Sequence, residues 1–291
     1  MYLVRASSEN SGQKNIGGRM NKSFLAFLAC ISLVAPAGAA DLAVKAPTYK
    51  APPPVVGYDW TGFYVGAHVG YGWGQDGGTR FTDSPPGTFA VAFGVGQLLP
   101  FVGTSPKGVL GGGQAGYNWQ VAPNWLIGVE GDISGSGIKG SGLFLFPGGG
   151  GAVPLNQTVS QSLDWLATVR GRAGFVVDRL LIYGTGGAAF GEVKNSFNIS
   201  APALAATIIG NASSTRTGWV AGAGAEYAFW SNWSVKLEWL HYDLGSTSVF
   251  APQFTAGVVQ PFGLNGTVVT KGDIVWAGLN YKFGGPVVAK Y

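Results

Sequence analysis

Leu163-Asp164-Trp165-Leu166-Ala167-Thr168-Val169-Arg170-Gly171-Arg172-Ala173-Gly174-Phe175 is the stretch that decides the fold. Leu163, Trp165, Ala167, Val169, Ala173 and Phe175 share one parity. Asp164, Thr168, Arg170 and Arg172 share the other. Successive side chains of a β-strand point to opposite faces, so this is a strand with one apolar and one charged face.

The same period of two runs outward in both directions. Phe63, Val65, Ala67, Val69, Tyr71 and Trp73 alternate with Gly62, Tyr64, Gly66, His68, Gly70 and Gly72. Ala115, Tyr117 and Trp119 oppose Gln114, Asn118 and Gln120, and Ile127, Val129 and Ile133 oppose Glu130, Asp132 and Ser134. Trp219 to Phe229 puts Ala and aromatic residues against Arg216 and Glu226. Val235, Leu237 and Trp239 oppose Lys236 and Glu238, and Ala277, Leu279, Tyr281 and Phe283 oppose Asn280 and Lys282. Residues 180–193 are apolar on both parities, so their phase is open. Eight strands result. Their connections alternate between long (74–107, about 138–160, about 195–214, about 246–266) and short (121–124, 177–179, 230–232), the pattern of an up-and-down meander whose ends differ.

Composition narrows the class. Of 291 residues 49 are Gly, aromatics make up 13% and charged residues 11%, against about 25% charged in an average soluble domain. Aromatic content argues against disorder, and Gly with so few Glu and Lys argues against a helical bundle. Gly has no period of three, so collagen is excluded. Beyond the first forty residues no apolar run reaches the ~18 needed for a membrane-spanning helix.

The beginning of the chain reads as an address. Lys22, the apolar run Phe24–Ala35 and small residues up to Ala40 describe a secretory signal peptide cleaved near Ala39/Ala40, with Met20 expected as the initiator and residues 1–19 as an extension. Cys30 lies inside that segment, so the mature chain has no cysteine for disulfides or thiolate metal sites. Without Arg5, Lys14, Arg19, Lys22 and Glu9, the mature chain keeps 14 basic and 13 acidic residues. The basic balance therefore belongs to the leader, and a nucleic-acid partner has no support. The expected organisation is leader 1–40, an extended Pro/Lys linker 41–59, a barrel 60–283 and a tail 284–291.

Alternation alone does not say whether water or lipid lies outside. The charged faces are heavy in glycine and too poor in charge for a solvated surface. The apolar faces begin or end in Phe63, Trp73, Trp119, Trp165, Phe175, Trp219, Phe229, Tyr281 and Phe283, where interfacial girdles of a membrane barrel belong. Opposite them, Glu130, Asp132, Asp164, Glu226 and Glu238 nearly balance Arg170, Arg172, Lys236 and Lys282, as charges enclosed in a narrow eight-stranded interior must. A closed barrel also satisfies every backbone group that crosses lipid. The reading is an all-β, eight-stranded antiparallel transmembrane barrel.

Asp59-Trp60-Thr61-Gly62-Phe63-Tyr64-Val65-Gly66, residues 163–175, Trp233-Ser234-Val235-Lys236-Leu237-Glu238-Trp239 and Gly278-Leu279-Asn280-Tyr281-Lys282-Phe283 resemble the small outer-membrane immunogenic, porin-like proteins of alphaproteobacteria, relatives of OmpA-type barrels. The resemblance covers residues 20–291. It implies a Gram-negative outer-membrane location among lipid and lipopolysaccharide. It also implies insertion by the outer-membrane assembly machinery, and structural or surface-antigen roles. Such chains often stop at the final aromatic, here Phe283. This one runs on to Tyr291, which leaves two residues for the assembly signal.

Other chemistry is thin. Gly184-Thr185-Gly186-Gly187-Ala188-Ala189 comes after a strand, as a dinucleotide fingerprint does, but Phe190-Gly191-Glu192-Val193 reads as more strand instead of the required helix, so no cofactor is expected. His68 and His241 are the only histidines, and no metal cluster is spaced around them. His241 with Tyr242 and Asp243 is the one arrangement that suits a lipid-modifying enzyme, against a bland reading as rim residues. Glu130/Asp132 and Arg170/Arg172 suit either a selective constriction or a salt-bridge network that holds the interior shut. The expected role is non-enzymatic, structural and surface-exposed. A small diffusion porin is the alternative, and the oligomeric state is open.

Overall fold

A computed structural model describes residues 58–75 and 77–284. The leader, the linker up to residue 57 and the tail from residue 285, with Tyr291, lie outside the described residues. The strands are β1 (Gly62–Gly74), β2 (Gly78–Ser84), β3 (Phe101–Gly103), β4 (Lys107–Ala122), β5 (Trp125–Phe146), β6 (Leu155–Val177), β7 (Leu180–Ala201), β8 (Ala206–Ala228), β9 (Trp233–Thr255) and β10 (Val258–Lys282). A short helix, α1 (Ala90–Gly94), lies between β2 and β3. Eight of the strands run antiparallel in the order β1-β4-β5-β6-β7-β8-β9-β10, and β1–β10 pairing closes the ring. The two small strands extend the sheet at one end, β2 on β10 and β3 on β2.

The alternation seen in the sequence sets which way the barrel turns its faces. Val69, Val169 and Leu237 stand about 60% exposed on the outside, whereas Glu130, Arg170 and Lys236 are almost wholly buried inside. The apolar outer stretch on β1 runs from Phe63 to Trp73, the length of ~9–11 residues that a tilted strand needs to cross a bilayer. Short turns sit at one edge of this band: 123–124 joins β4 to β5, 178–179 joins β6 to β7, and 229–232 joins β8 to β9.

The other end differs from expectation. Residues 138–160, 195–214 and 246–266 were expected as long loops, but most of them continue the strands. β6 has 23 residues and β10 has 25, roughly 75 Å or more of strand at ~3.3 Å per residue. The connecting tips shrink to 147–154, 202–205 and 256–257. The physical reason is that the amphipathic pattern continues with its sign reversed. Leu155, Val159, Phe197, Ile199, Ile208, Ala251 and Leu264 point inward and form an apolar core. Asn156, Thr158, Ser160, Ser196, Asn198, Asn211 and Ser213 point outward. Leu143, Leu145, Ile209 and Phe250 interrupt this otherwise polar surface, so the barrel is lipid-like outside in its lower part and mostly water-like outside in its upper part.

Bulges sit between the two regimes. The β6–β7 register slips between Leu163 and Trp165, and the β5–β6 register between Gly135 and Ile138. An extra residue turns the parity of a strand over. Leu163 therefore faces inward, although its place in the alternation assigned it to the outer face. The phase of 180–193, open in the sequence, is set with Leu181, Tyr183, Ala189 and Val193 inside. Both faces read as apolar because these interior positions belong to apolar layers rather than to the charged one.

Candidate functional site

The interior is stacked in layers. Trp60, Leu126, Val176, Leu181, Tyr183 and Ala228 fill the end with the short turns. The Trp60 indole donates to the Asp178 carbonyl at 3.2 Å and fixes that plug. Above the charged layer Leu110, Ile138, Leu166, Ala189, Val220, Leu240 and Ile274 form a second apolar layer. Between the two lies a polar cluster contributed by seven of the eight ring strands.

One of its ion pairs spans the ring. β5 and β9 lie four places apart in the eight-strand ring, hence opposite each other. Lys236 Nζ of β9 donates to both carboxylate oxygens of Glu130 on β5, at 2.8 and 2.9 Å. Arg170 on β6 binds three carboxylates: Glu130 at 2.5 Å, Asp132 at 3.0 Å and Glu238 at 2.8 Å. Arg172 reaches Glu226 at 3.1 Å and Glu130 at 3.5 Å. Neutral donors complete the shell: Tyr64 Oη to Glu130 at 2.7 Å, the Trp276 indole to Glu238 at 2.7 Å, Ser234 to Glu226 at 2.5 Å and Asn280 to Glu226 at 2.8 Å. Arg172 Nε donates to Asn118 at 2.9 Å, and its guanidinium lies over the rings of Tyr64 and Tyr183. Charges removed from water need this degree of pairing and hydrogen bonding to remain ionised.

Glycine makes the crowding possible at two places. A Cβ on Gly187 would collide with the backbone of Val169 and Arg170, and one on Gly66 would collide with the Asn280 and Gln114 side chains. Gly187 belongs to the segment with the superficial dinucleotide pattern. That segment lies within β7, with no helix after it.

Seven of the nine residues expected in the lumen network come together: Glu130, Asp132, Arg170, Arg172, Glu226, Lys236 and Glu238. Asp164 does not. It is the residue of the β6 bulge, stands on the outside and pairs with Lys194 of β7 at 2.5 Å. Lys282 ends β10 at the short-turn mouth, bound to the Asp59 carbonyl, with its ammonium 4.7 Å from the Tyr58 ring. Burial at that mouth pushes the Tyr58 hydroxyl up to about 12, so it stays neutral. Tyr64 and Trp276 were missed as members of the network. Each shares a parity with polar positions, which was the available signal, but an aromatic on that face carries no mark of a carboxylate partner.

The expected girdle residues all lie on the outer surface. Phe63, Trp119, Phe175, Tyr281 and Phe283 lie near the short-turn edge with Trp125 and Trp233, while Trp73, Trp165 and Trp219 lie toward the opposite edge. Phe229 sits in the 229–232 turn beside Trp230. Phe283 donates its N–H to the Phe63 carbonyl at 2.8 Å and so remains part of the closed sheet.

The histidines separate. His68 is inside, bonded to Gln114 at 2.5 Å and Ser134 at 2.6 Å, with its ring 4.2 Å from that of Trp276. His241 is at the outer rim. Its partner is Asp273 of β10 at 2.9 Å, not its sequence neighbour Asp243. Tyr242 points the opposite way, into the barrel, because strand neighbours alternate. Asp273 is bound in turn by Gln75. Among the described residues no group of three or more His, Cys, Asp or Glu is placed to hold a metal.

The family described as outer membrane protein beta-barrel domain matches residues 25–283. The 31 kDa outer-membrane immunogenic protein of Brucella melitensis is 35% identical over 248 residues, covering 84% of this chain and 92% of that protein. The 22 kDa outer membrane protein of Rhizobium leguminosarum is 31% identical over 64% of this chain and 65% of that one. Among solved structures, the outer membrane protein OprG of Pseudomonas aeruginosa aligns over 77% of this chain and 97% of its own, at 12% identity and a TM-score of 0.40.

Proposed function

Since this chain belongs to the outer membrane protein beta-barrel domain family and is an outer-membrane barrel, we propose that it acts as a closed, non-enzymatic barrel that reinforces the envelope and presents a surface to the outside. The bond that carries this reading is the one from Lys236 to Glu130 across the full width of the ring. A solute on the barrel axis meets that pair, then an apolar layer on each side of it. An eight-stranded interior is just wide enough for side chains to fill it, and buried side chains occur along this one from Trp60 to Leu264.

The long hydroxylated strand ends are then the exposed part. One tip, 147–154, carries four consecutive glycines, Gly148, Gly149, Gly150 and Gly151, at positive φ. The name of the Brucella relative includes the word immunogenic, and that property is proposed here for the tips of 147–154, 202–205 and 256–257. The proposed partners are the lipid and lipopolysaccharide around the barrel and the assembly machinery that inserts it. Phe283 is the assembly signal we favour, since it is hydrogen-bonded into the sheet.

Labelling of single-cysteine variants in intact cells tests the orientation. A cysteine at Gly150 should react with a membrane-impermeant maleimide, and one at Asn232 should react only after the outer membrane is broken. The reverse pattern would overturn the reading. Proteoliposome swelling tests closure: vesicles carrying the folded chain should exclude small sugars as well as empty ones do.

A further inference from the structure

Just beyond the apolar band, neighbouring strands carry a row of outward side chains. Lys107 of β4 opposes Lys139 of β5, Lys139 opposes Ser162 of β6, and Ser162 opposes Lys194 of β7. Lys107 also stands opposite Trp73 of β1, which places the row at the outer edge of the aromatic band. The next row outward is a ladder of hydroxyls, Ser141–Ser160–Ser196, with the Ser160 and Ser196 oxygens 2.8 Å apart. The two rows line a concavity of about 960 Å³, near the upper end of the ~300–1,000 Å³ typical of small-ligand sites.

The charge in this concavity is uneven. Lys194 is held by Asp164 at 2.5 Å, with Glu192 at 3.8 Å. The hydrogen bond between Lys194 and Asp164 holds that carboxyl below the usual carboxylate range and raises the ammonium above its own. Two carboxylates against one ammonium leave that end acidic, and it repels an anion. At the other end Lys107 and Lys139 face each other; among the described residues neither makes an ion pair within 4 Å, although the Lys139 charge reaches Asp164 and helps to hold its carboxyl down. Like charges directly opposite on an antiparallel pair are destabilising, and an anion between them removes the cost. Below them on the same face lie the exposed apolar side chains Val109 and Ile133.

We propose that this patch binds the phosphorylated saccharide headgroup of an outer-leaflet glycolipid, with a phosphate between Lys107 and Lys139 and sugar hydroxyls along the serine ladder. Phosphate accepts charge-assisted hydrogen bonds from lysine. The hydroxyl row offers donors and acceptors to a sugar. Val109 and Ile133 give the acyl chains a wall, which selects a lipid over a free anion. The assignment rests on the reading of the apolar band as embedded in the membrane with the long strand ends outside.

The test is native mass spectrometry of the mature chain folded in neutral micelles. The probes are bisphosphorylated lipid A, its phosphate-free counterpart and inorganic phosphate. Folding is verified by heat-modifiable mobility, and membrane depth by quenching of tryptophan with brominated acyl chains. The wild type should retain bisphosphorylated lipid A about tenfold better than the phosphate-free lipid, a difference of ~1.4 kcal/mol. The K107Q/K139Q double variant should lose that preference, and R179Q, in the turn at the opposite end, should keep it. Inorganic phosphate at millimolar concentration should not compete. Equal retention by the wild type and the double variant, or of both lipids, overturns the proposal, as does full competition by inorganic phosphate. Either result with normal quenching leaves the band reading intact. Loss of quenching in a folded chain overturns the band reading itself.

Discussion

Lys236 and Glu130 meet across the full width of the barrel, ammonium to carboxylate at 2.8 and 2.9 Å, although 106 residues separate them in sequence. The pair turns two opposite walls into one unit. Arg170 ties two further acids to it, with Glu130, Asp132 and Glu238 all within 3.0 Å. Removing one partner from such a cluster leaves buried charge uncompensated.

Arg170→Ala should therefore destabilise the folded barrel by about 3–5 kcal/mol, the range for breaking a buried ion pair. Equilibrium urea unfolding in lipid vesicles would measure it. A change below about 1 kcal/mol would show that the cluster does not hold the walls together.

Tyr64→Phe tests a neutral member of the shell. The substitution keeps the ring, which lies 4.8 Å from the Arg172 guanidinium, and removes only the hydroxyl that donates to Glu130 at 2.7 Å. A hydrogen bond to a charged group is worth about 1.5–3 kcal/mol, and the same unfolding experiment should show a loss of that size. Unchanged stability would mean that Glu130 finds another donor at no cost.

The reversal of amphipathicity along β6 predicts opposite tolerances on one strand. Val169 and Thr158 both point outward, the first within the apolar band and the second in the hydroxylated section. Val169→Arg should cost ~2–4 kcal/mol, the penalty for arginine near the bilayer midplane of a barrel. Thr158→Arg should cost less than ~0.5 kcal/mol, as surface substitutions do. Similar costs at both sites would remove the boundary placed at the Asp164 bulge.

Protease added to intact cells should cut at the glycine-rich tip 147–154 and leave 207–214 whole. The tip carries four consecutive glycines at positive φ, whereas 207–214 is hydrogen-bonded to β7. Mapping of the released peptides decides it. Frequent cleavage within 207–214 would restore the long loop expected from composition.

The lower half of the barrel was legible in the sequence because lipid outside and charge inside impose a strict period of two. Residues 165–175 show it, and the carboxylate partners of Arg170 and Arg172 all lie on faces marked by charge. The upper half was hidden for a physical reason. With apolar residues inside and Ser, Thr and Asn outside, its composition is that of a loop, and only the parity of Leu155, Val159, Phe197 and Ile199 betrays a strand. Asp164 was misplaced by one residue of bulge, which alternation cannot reveal. That His241 would meet Asp273 rather than Asp243 was not visible either, since the contact depends on the register between β9 and β10.

Closure of the interior is the claim on which the functional account rests. Single-channel recording of the mature chain, refolded and inserted in a planar bilayer, addresses it most directly. The account predicts a silent wild type, with no steps beyond those of the bilayer without protein. Discrete, reproducible steps from the folded wild type would contradict it and would make Glu130, Asp132, Arg170 and Arg172 the filter of an open pore.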